Sequence, residues 1–265
     1  MSGPRPRLIA LGASNLRRGF PELFAAARES AGGPVELLAA LGHGRSYGRW
    51  SHVAGYSLPG ISKCGLWGRL NALLPAPTTA LVTDVGNDLL YGAGPAELLG
   101  WVARCVDRLK QAGARVVMTE LPTAGLATLG PLRYRFFRTL FFPPCRLTRD
   151  ELAARAFEVN DGLRQIATEH GARIYGLPGH WYGFDPIHVK RAVLPNAWRF
   201  FLQRGDEPAG GVDAVKATRG LGAAPITLRV SLQNAAPHRR RLFGVERQRQ
   251  QPSRTLPCGS TIAVF

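Results

Sequence analysis

The chain has 265 residues, with 34 Lys and Arg against 18 Asp and Glu, a formal charge of +16, and 45% apolar residues. That apolar share excludes wholesale disorder, and the length admits one domain or two. No apolar run reaches the roughly 18 residues of a membrane-spanning helix, and residues 8–11 behind Arg5 and Arg7 are too short for a secretory h-region, so a cytoplasmic protein is expected.

Short apolar runs alternate with helical patterns. Residues 7–12 (Arg-Leu-Ile-Ala-Leu-Gly) predict a buried strand that stops at Gly12. Pro21 opens a helix over 21–30, closed by Gly32 and Gly33. Residues 35–41 and 79–83 predict the second and third strands. Pro95 then opens a helix to 111, with Leu98, Leu99, Val102, Val106 and Leu109 at helical spacing, and Gly113 ends it. Residues 115–120 give a fourth strand. Thr148 and Glu151 form a capping box that starts a helix to about 170. A fifth strand at 172–175 and a last helix at 194–202 complete the pattern. Strands buried on both faces and separated by helices imply a parallel sheet with right-handed crossovers. The expectation is a three-layer α/β/α sandwich with a five-stranded, flavodoxin-like sheet over residues 1–204.

Beyond 205 the pattern changes. Residues 205–224 are rich in Gly and Ala without a clear period, whereas 226–232 and 260–265 alternate apolar and polar positions. This basic extension, 205–265, is either a two-stranded flap or a largely disordered tail.

Doubly wound sheets place their sites at the carboxyl ends of the strands. Three such ends carry unusual polar residues: Gly12-Ala13-Ser14-Asn15, Gly42-His43-Gly44-Arg45-Ser46, and Asp84-Val85-Gly86-Asn87-Asp88. Asp185-Pro186-Ile187-His188 precedes the last helix, and the topology brings all four to one rim. Together they form a hydrolytic set. A Ser hydroxyl becomes a nucleophile only when a base takes its proton, and His188 suits that task near neutral pH. Asp185 can accept the other imidazole N–H and fix the tautomer. The oxyanion needs preset donors, available from the backbone N–H of Ser14 and Gly44 and the side-chain amide of Asn87. Taken singly, Ser14 and Asn15 would be ordinary helix caps, and Asn87-Asp88 an Asx-turn. Their joint occurrence carries the functional reading.

The blocks Gly12-Ala-Ser14, Gly44, Gly86-Asn87-Asp88 and Asp185-xx-His188, in that order, resemble the SGNH (GDSL-type) serine hydrolases over about residues 7–204. The resemblance implies Ser14 as nucleophile, His188 as base and Asp185 as its orienting acid. Gly44 and Asn87 would complete the oxyanion hole with Ser14. It implies cleavage of an ester or acetyl ester through an acyl-enzyme, with no metal or cofactor. The chain departs from the family pattern where Ala13 replaces the Asp before the Ser, Asn15 replaces the following Leu, and Val85 stands where a Gly is usual.

A rival match exists. Gly44-Arg-Ser46-Tyr-Gly48 fits the G-x-S-x-G nucleophile elbow, which requires a helix directly after the Ser; residues 49–60 contain Gly55, Pro59 and Gly60 and predict none. His43, Tyr47, Trp181 and Tyr182 either line a substrate pocket or pack the core. The scattered Cys64, Cys105, Cys145 and Cys258 lack metal-ligand spacing. Only four of the 34 cations are Lys, and the Arg excess is spread along the chain. It permits contact with nucleic acid or an anionic membrane surface, so two alternatives stay open: an Arg-rich nucleic-acid-binding protein on a degenerate hydrolase fold, and an acyltransferase on the same scaffold.

Overall fold

A computed structural model describes residues 4–127, 129–203, 232 and 235–265. Its strands are β1 (Arg7–Leu11), β2 (Glu36–Ala40), β3 (Ser51–Val53), β4 (Tyr56–Leu58), β5 (Thr78–Val82), β6 (Arg115–Thr119), β7 (Arg173–Tyr175), β8 (Arg239–Leu242), β9 (Val245–Gln248), β10 (Arg254–Thr255) and β11 (Thr261–Val264). The helices are α1 (Ser14–Arg18), α2 (Phe20–Ala31), α3 (Leu66–Asn71), α4 (Asn87–Leu90), α5 (Pro95–Gln111), α6 (Thr123–Ala127), α7 (Pro131–Phe141), α8 (Arg149–Glu169) and α9 (Leu194–Gln203).

The central sheet has the order β10-β11-β2-β1-β5-β6-β7, parallel throughout except for the β10–β11 pair. The five strands expected from the sequence are all present, in the order of a flavodoxin-like sheet. The sheet nevertheless has seven strands, not five. Strand β11 pairs in parallel with β2, Thr261 opposite Glu36 through Val264 opposite Ala39. The segment 260–265 is therefore not one arm of a separate flap. It covers the edge of β2, whose Leu37 to Ala40 are fully buried, and an uncovered apolar strand edge there would be a template for aggregation. Its proposed partner, 226–232, lies outside the described residues apart from Leu232. A second, antiparallel sheet of order β3-β4-β8-β9 was not foreseen; a β3–β4 hairpin turns at Ala54 and Gly55, both at positive φ.

Two apolar clusters cover the two faces. One joins Ile9, Leu11 and Val82 to Leu66, Trp101, Val102 and Leu163 of α3, α5 and α8. The other joins Leu8, Leu37 and Val117 to Phe20, Phe24, Trp198 and Phe201 of α2 and α9. Each fully buried Leu, Val or Phe contributes about 1.5–3 kcal/mol, which fixes the strand ends that carry the polar residues. The α8 capping box forms as expected: Glu151 N–H donates to Thr148 Oγ1 at 3.2 Å and Thr148 N–H donates to Glu151 Oε2 at 2.7 Å.

Candidate active site

The carboxyl ends of β1 and β5, neighbours at the point where strand order reverses, meet through one side chain. Asp84 accepts at Oδ2 from the N–H groups of Ala13, Asn15 and Leu16 at 2.9, 3.0 and 3.1 Å, and at Oδ1 from Asn15 Nδ2 at 2.8 Å. Position 13 has no carboxylate, yet a carboxylate holds this loop. Asp84 adopts φ +57, a left-handed conformation that Asp tolerates better than most residues. Its bonds flank Ser14 and leave out Ser14's own N–H. Nothing local in the sequence distinguishes a positioning Asp from a turn Asp at position 84.

Asn15 also reaches the other half of the site. Its Oδ1 accepts Val189 N–H at 2.8 Å and its Nδ2 lies 3.3 Å from the Ile187 carbonyl, so it bonds on both sides of His188. His188 Nδ1 pairs with Asp185 Oδ2 at 2.5 Å, and Asp185 Oδ1 accepts the N–H of Ile187 at 2.9 Å and of His188 at 3.2 Å. Partial burial opposes ionisation of Asp185, but the His188 and backbone bonds outweigh it and hold its pKa below the usual carboxylate value. The Asp185–His188 pair thus forms, and Asn15 binds its loop to Ser14's neighbour. Among the described residues, Ser14 Oγ makes no hydrogen bond to His188.

Gly44 and Asn87 stand on the third side. Gly44 has φ +58, its carbonyl accepts from Tyr91 Oη at 2.6 Å, and a Cβ there would sit 2.5 Å from that hydroxyl. Glycine is required at this turn. Asn87 Nδ2 lies 3.3 Å from the Arg45 carbonyl in the same loop. Behind the loop, buried Asp88 accepts from Ser46 Oγ and, at 2.8 Å, from Tyr47 N–H. Burial, opposed by these bonds, pushes the Asp88 pKa up to about 6. Ser46 Oγ also accepts the N–H of Gly48 and Arg49 at 3.1 and 2.8 Å. Ser46 is fully buried, so the G-x-S-x-G match is a structural turn and not an exposed nucleophile elbow.

The remaining candidates divide. Tyr47 is fully buried, its hydroxyl donating to the Thr83 carbonyl at 2.8 Å, so it packs the core rather than lining a pocket. Trp181 is likewise buried, against Phe201. Tyr182 does line the cleft that opens from Ser14. His43 is exposed on the turn before Gly44 and is not among the residues lining the cleft.

The cleft encloses about 980 Å³, open solvent at its mouth included. It runs from Ser14, Asn15 and Asn87 to a wall of apolar side chains, among them Leu89, Leu121, Tyr134, Phe137, Phe142 and Leu152. Helix α7 supplies part of that wall and sets Phe141 against His188, ring centroids 5.7 Å apart. Helix α7 is not among the elements expected from the sequence. Only the 131–141 spacing of Tyr134, Phe137 and Phe141, opened by Pro131, could have signalled it.

No protein-family model matches the chain, and no curated protein matches it in sequence. Solved structures do match. One does so with a TM-score of 0.55 and 12% identity, over 76% of this chain and 97% of its own. The psychrotrophic esterase EstA from Pseudoalteromonas sp. gives a TM-score of 0.45 and 16% identity over 75% of this chain and 95% of its own. A lipolytic G-D-S-L family protein from Veillonella parvula DSM 2008 gives 0.46 and 12% over 76% and 95%. At these identities the likeness is one of fold alone: the chain is an α/β/α protein with a mostly parallel central sheet.

Proposed function

We propose that the protein is a serine ester hydrolase of the SGNH type. The observation that carries this reading is the Asp185–His188 pair, bound by Asn15 to the loop of Ser14 at the mouth of an apolar cleft. Asp185 holds His188 Nδ1, leaving Nε2 to take the proton of Ser14 Oγ. The alkoxide attacks the ester carbonyl carbon while the acyl chain lies in the apolar cleft. Ser14 N–H, Gly44 N–H and Asn87 Nδ2 face the developing oxyanion, and each such donor is typically worth ~10²–10³ in rate. The imidazolium returns its proton to the departing alcohol. His188 then activates water to cleave the acyl-Ser14 ester and regenerate the hydroxyl. This chemistry uses no metal or cofactor.

The test is a panel of esters of rising acyl length on wild type, Ser14→Ala and Ser46→Ala, alongside labelling by a fluorophosphonate. Wild type and Ser46→Ala should hydrolyse and label, Ser46→Ala with reduced stability, and Ser14→Ala should do neither. Activity that survives loss of Ser14 and disappears with Ser46 would overturn the reading. An alcohol acceptor that competes with water for the acyl group would shift it to an acyltransferase.

A further inference from the structure

Helix α7 has two unlike faces. Tyr134 and Phe137 point into the cleft wall, whereas Leu132, Phe136 and Leu140 lie four residues apart along one side of the helix and are 85%, 56% and 58% exposed. Beside it, exposed Phe184 packs on Phe137, ring centroids 5.5 Å apart, under the guanidinium of Arg133, 4.8 Å from its ring centroid. Exposed Phe141, next in sequence to Leu140, stacks on Phe137 and meets His188. Soluble surfaces rarely leave so continuous an apolar strip bare, and this one begins at the candidate base.

Charge identifies what it meets. Residues 121–149 hold five arginines (133, 135, 138, 146 and 149) and no Asp or Glu. Arg135 and Arg146 are exposed and, among the described residues, form no ion pair. A second copy of the chain would set these arginines against their own kind, whereas a surface of phosphate head groups would neutralise them. A second segment has the same character. The β8–β9 turn presents Phe243, 86% exposed, beside exposed Val245, while Arg240 faces Arg247 across the ladder. Phe243 lies over Gly55 of the β3–β4 hairpin, and Val53 of that hairpin packs at Gly44. One apolar-and-arginine segment therefore borders the His188 side of the mouth and another the Gly44 side.

We propose that this rim docks on an anionic lipid surface, with α7 lying in the head-group layer, its Leu132–Phe136–Leu140 ridge inserted and its arginines on the phosphates. The enzyme then draws its acyl ester from that surface; this last step rests on the hydrolase reading, while the docking does not. No helix among the described residues is long and apolar enough to cross a membrane.

The experiment is co-sedimentation of the full chain with vesicles of phosphatidylcholine alone or with phosphatidylglycerol added. Binding is expected to the anionic vesicles and to weaken as salt rises. Combining Leu132→Ser, Phe136→Ser and Leu140→Ser should weaken it at least about tenfold, and Arg135→Glu about fivefold or more at low salt. Hydrolysis of a soluble short ester should not change in either variant, and circular dichroism confirms folding independently of activity. Ser14→Ala protein should bind vesicles like wild type, which separates a failure of docking from a failure of the hydrolase reading. Absence of vesicle binding, or binding indifferent to the triple substitution, overturns the proposal. A wild-type dimer that the triple substitution makes monomeric assigns the ridge to self-association and overturns it too.

Discussion

Val189 N–H donates to Asn15 Oδ1 at 2.8 Å across 174 positions of sequence, and the same Asn15 side chain donates to Asp84. One amide therefore sets the distance between the loop of Ser14 and the loop of His188. Asn15→Leu leaves the Val189 N–H and one Asp84 oxygen without their partner, at about 1–3 kcal/mol for each buried group. The expected result is a lower melting temperature and a kcat for a short ester reduced by about 10²-fold, the scale of a small misplacement of reacting groups. Steady-state kinetics with a melting curve checks both.

Asp84 combines a left-handed backbone with four accepted hydrogen bonds. Asp84→Ala loses the bonds and keeps the strain. Asp84→Gly loses the bonds but releases the strain, and should be more stable than Asp84→Ala by about 1 kcal/mol. Denaturant unfolding of the two variants side by side tests the order.

Gly44→Ala forces a Cβ to within 2.5 Å of Tyr91 Oη at a positive φ, so the loop must shift. An oxyanion donor moved in this way should cost ~10²–10³ in kcat. Gly44→Ala/Tyr91→Phe removes the clashing hydroxyl and should recover part of the loss, read as kcat for one ester across the three proteins.

The Asp88 carboxyl has its pKa raised to about 6 from an ordinary 3.8. A raised carboxylate pKa favours the protonated folded form, so the native state binds more protons than the unfolded chain between these values. Stability contributed by Asp88 is then lost as pH rises from about 4 to 6, on the order of 3 kcal/mol in all. Asp88→Asn removes this term. The stability of wild type relative to the variant should fall across that window, measured by urea unfolding at several pH values.

Ala156 on α8 lines the cleft. Ala156→Leu adds volume there and should lower kcat/KM for long acyl esters while leaving an acetyl ester within about threefold, since a single methylene is worth about 1–3 kcal/mol in a pocket. An ester series on the two proteins decides it.

The legible parts of the molecule were those with a local code. The Thr148–Glu151 capping box, the Pro95 start of α5 and the continuous apolar runs of the parallel strands all state their structure within a few residues. The block order from Ser14 to His188 likewise put each candidate residue at a strand end or in the loop before α9, where the structure has them. What escaped depends on contacts far apart in sequence. Residues 261–264 have the alternation of an edge hairpin, and only the exposed flank of β2 makes them a central-sheet strand. Tyr47 and Trp181 have side chains that suit either a pocket or a core, and burial alone separates the two. Asp84 gains its role from three backbone N–H groups on another strand's end.

The guanidinium of Arg45, one residue from Gly44, is fully buried and donates to the Phe265 carbonyl, 220 positions away, as well as to Pro59. During synthesis, Ser14, Asn87 and His188 therefore all leave the ribosome before the Gly44 loop can acquire its anchor. A nascent chain halted at 250 would hold Ser14 and the cleft without the strand whose last carbonyl anchors Arg45. If Ser14 is the nucleophile as proposed, proteolytic removal of 254–265 should abolish fluorophosphonate labelling at an intact Ser14.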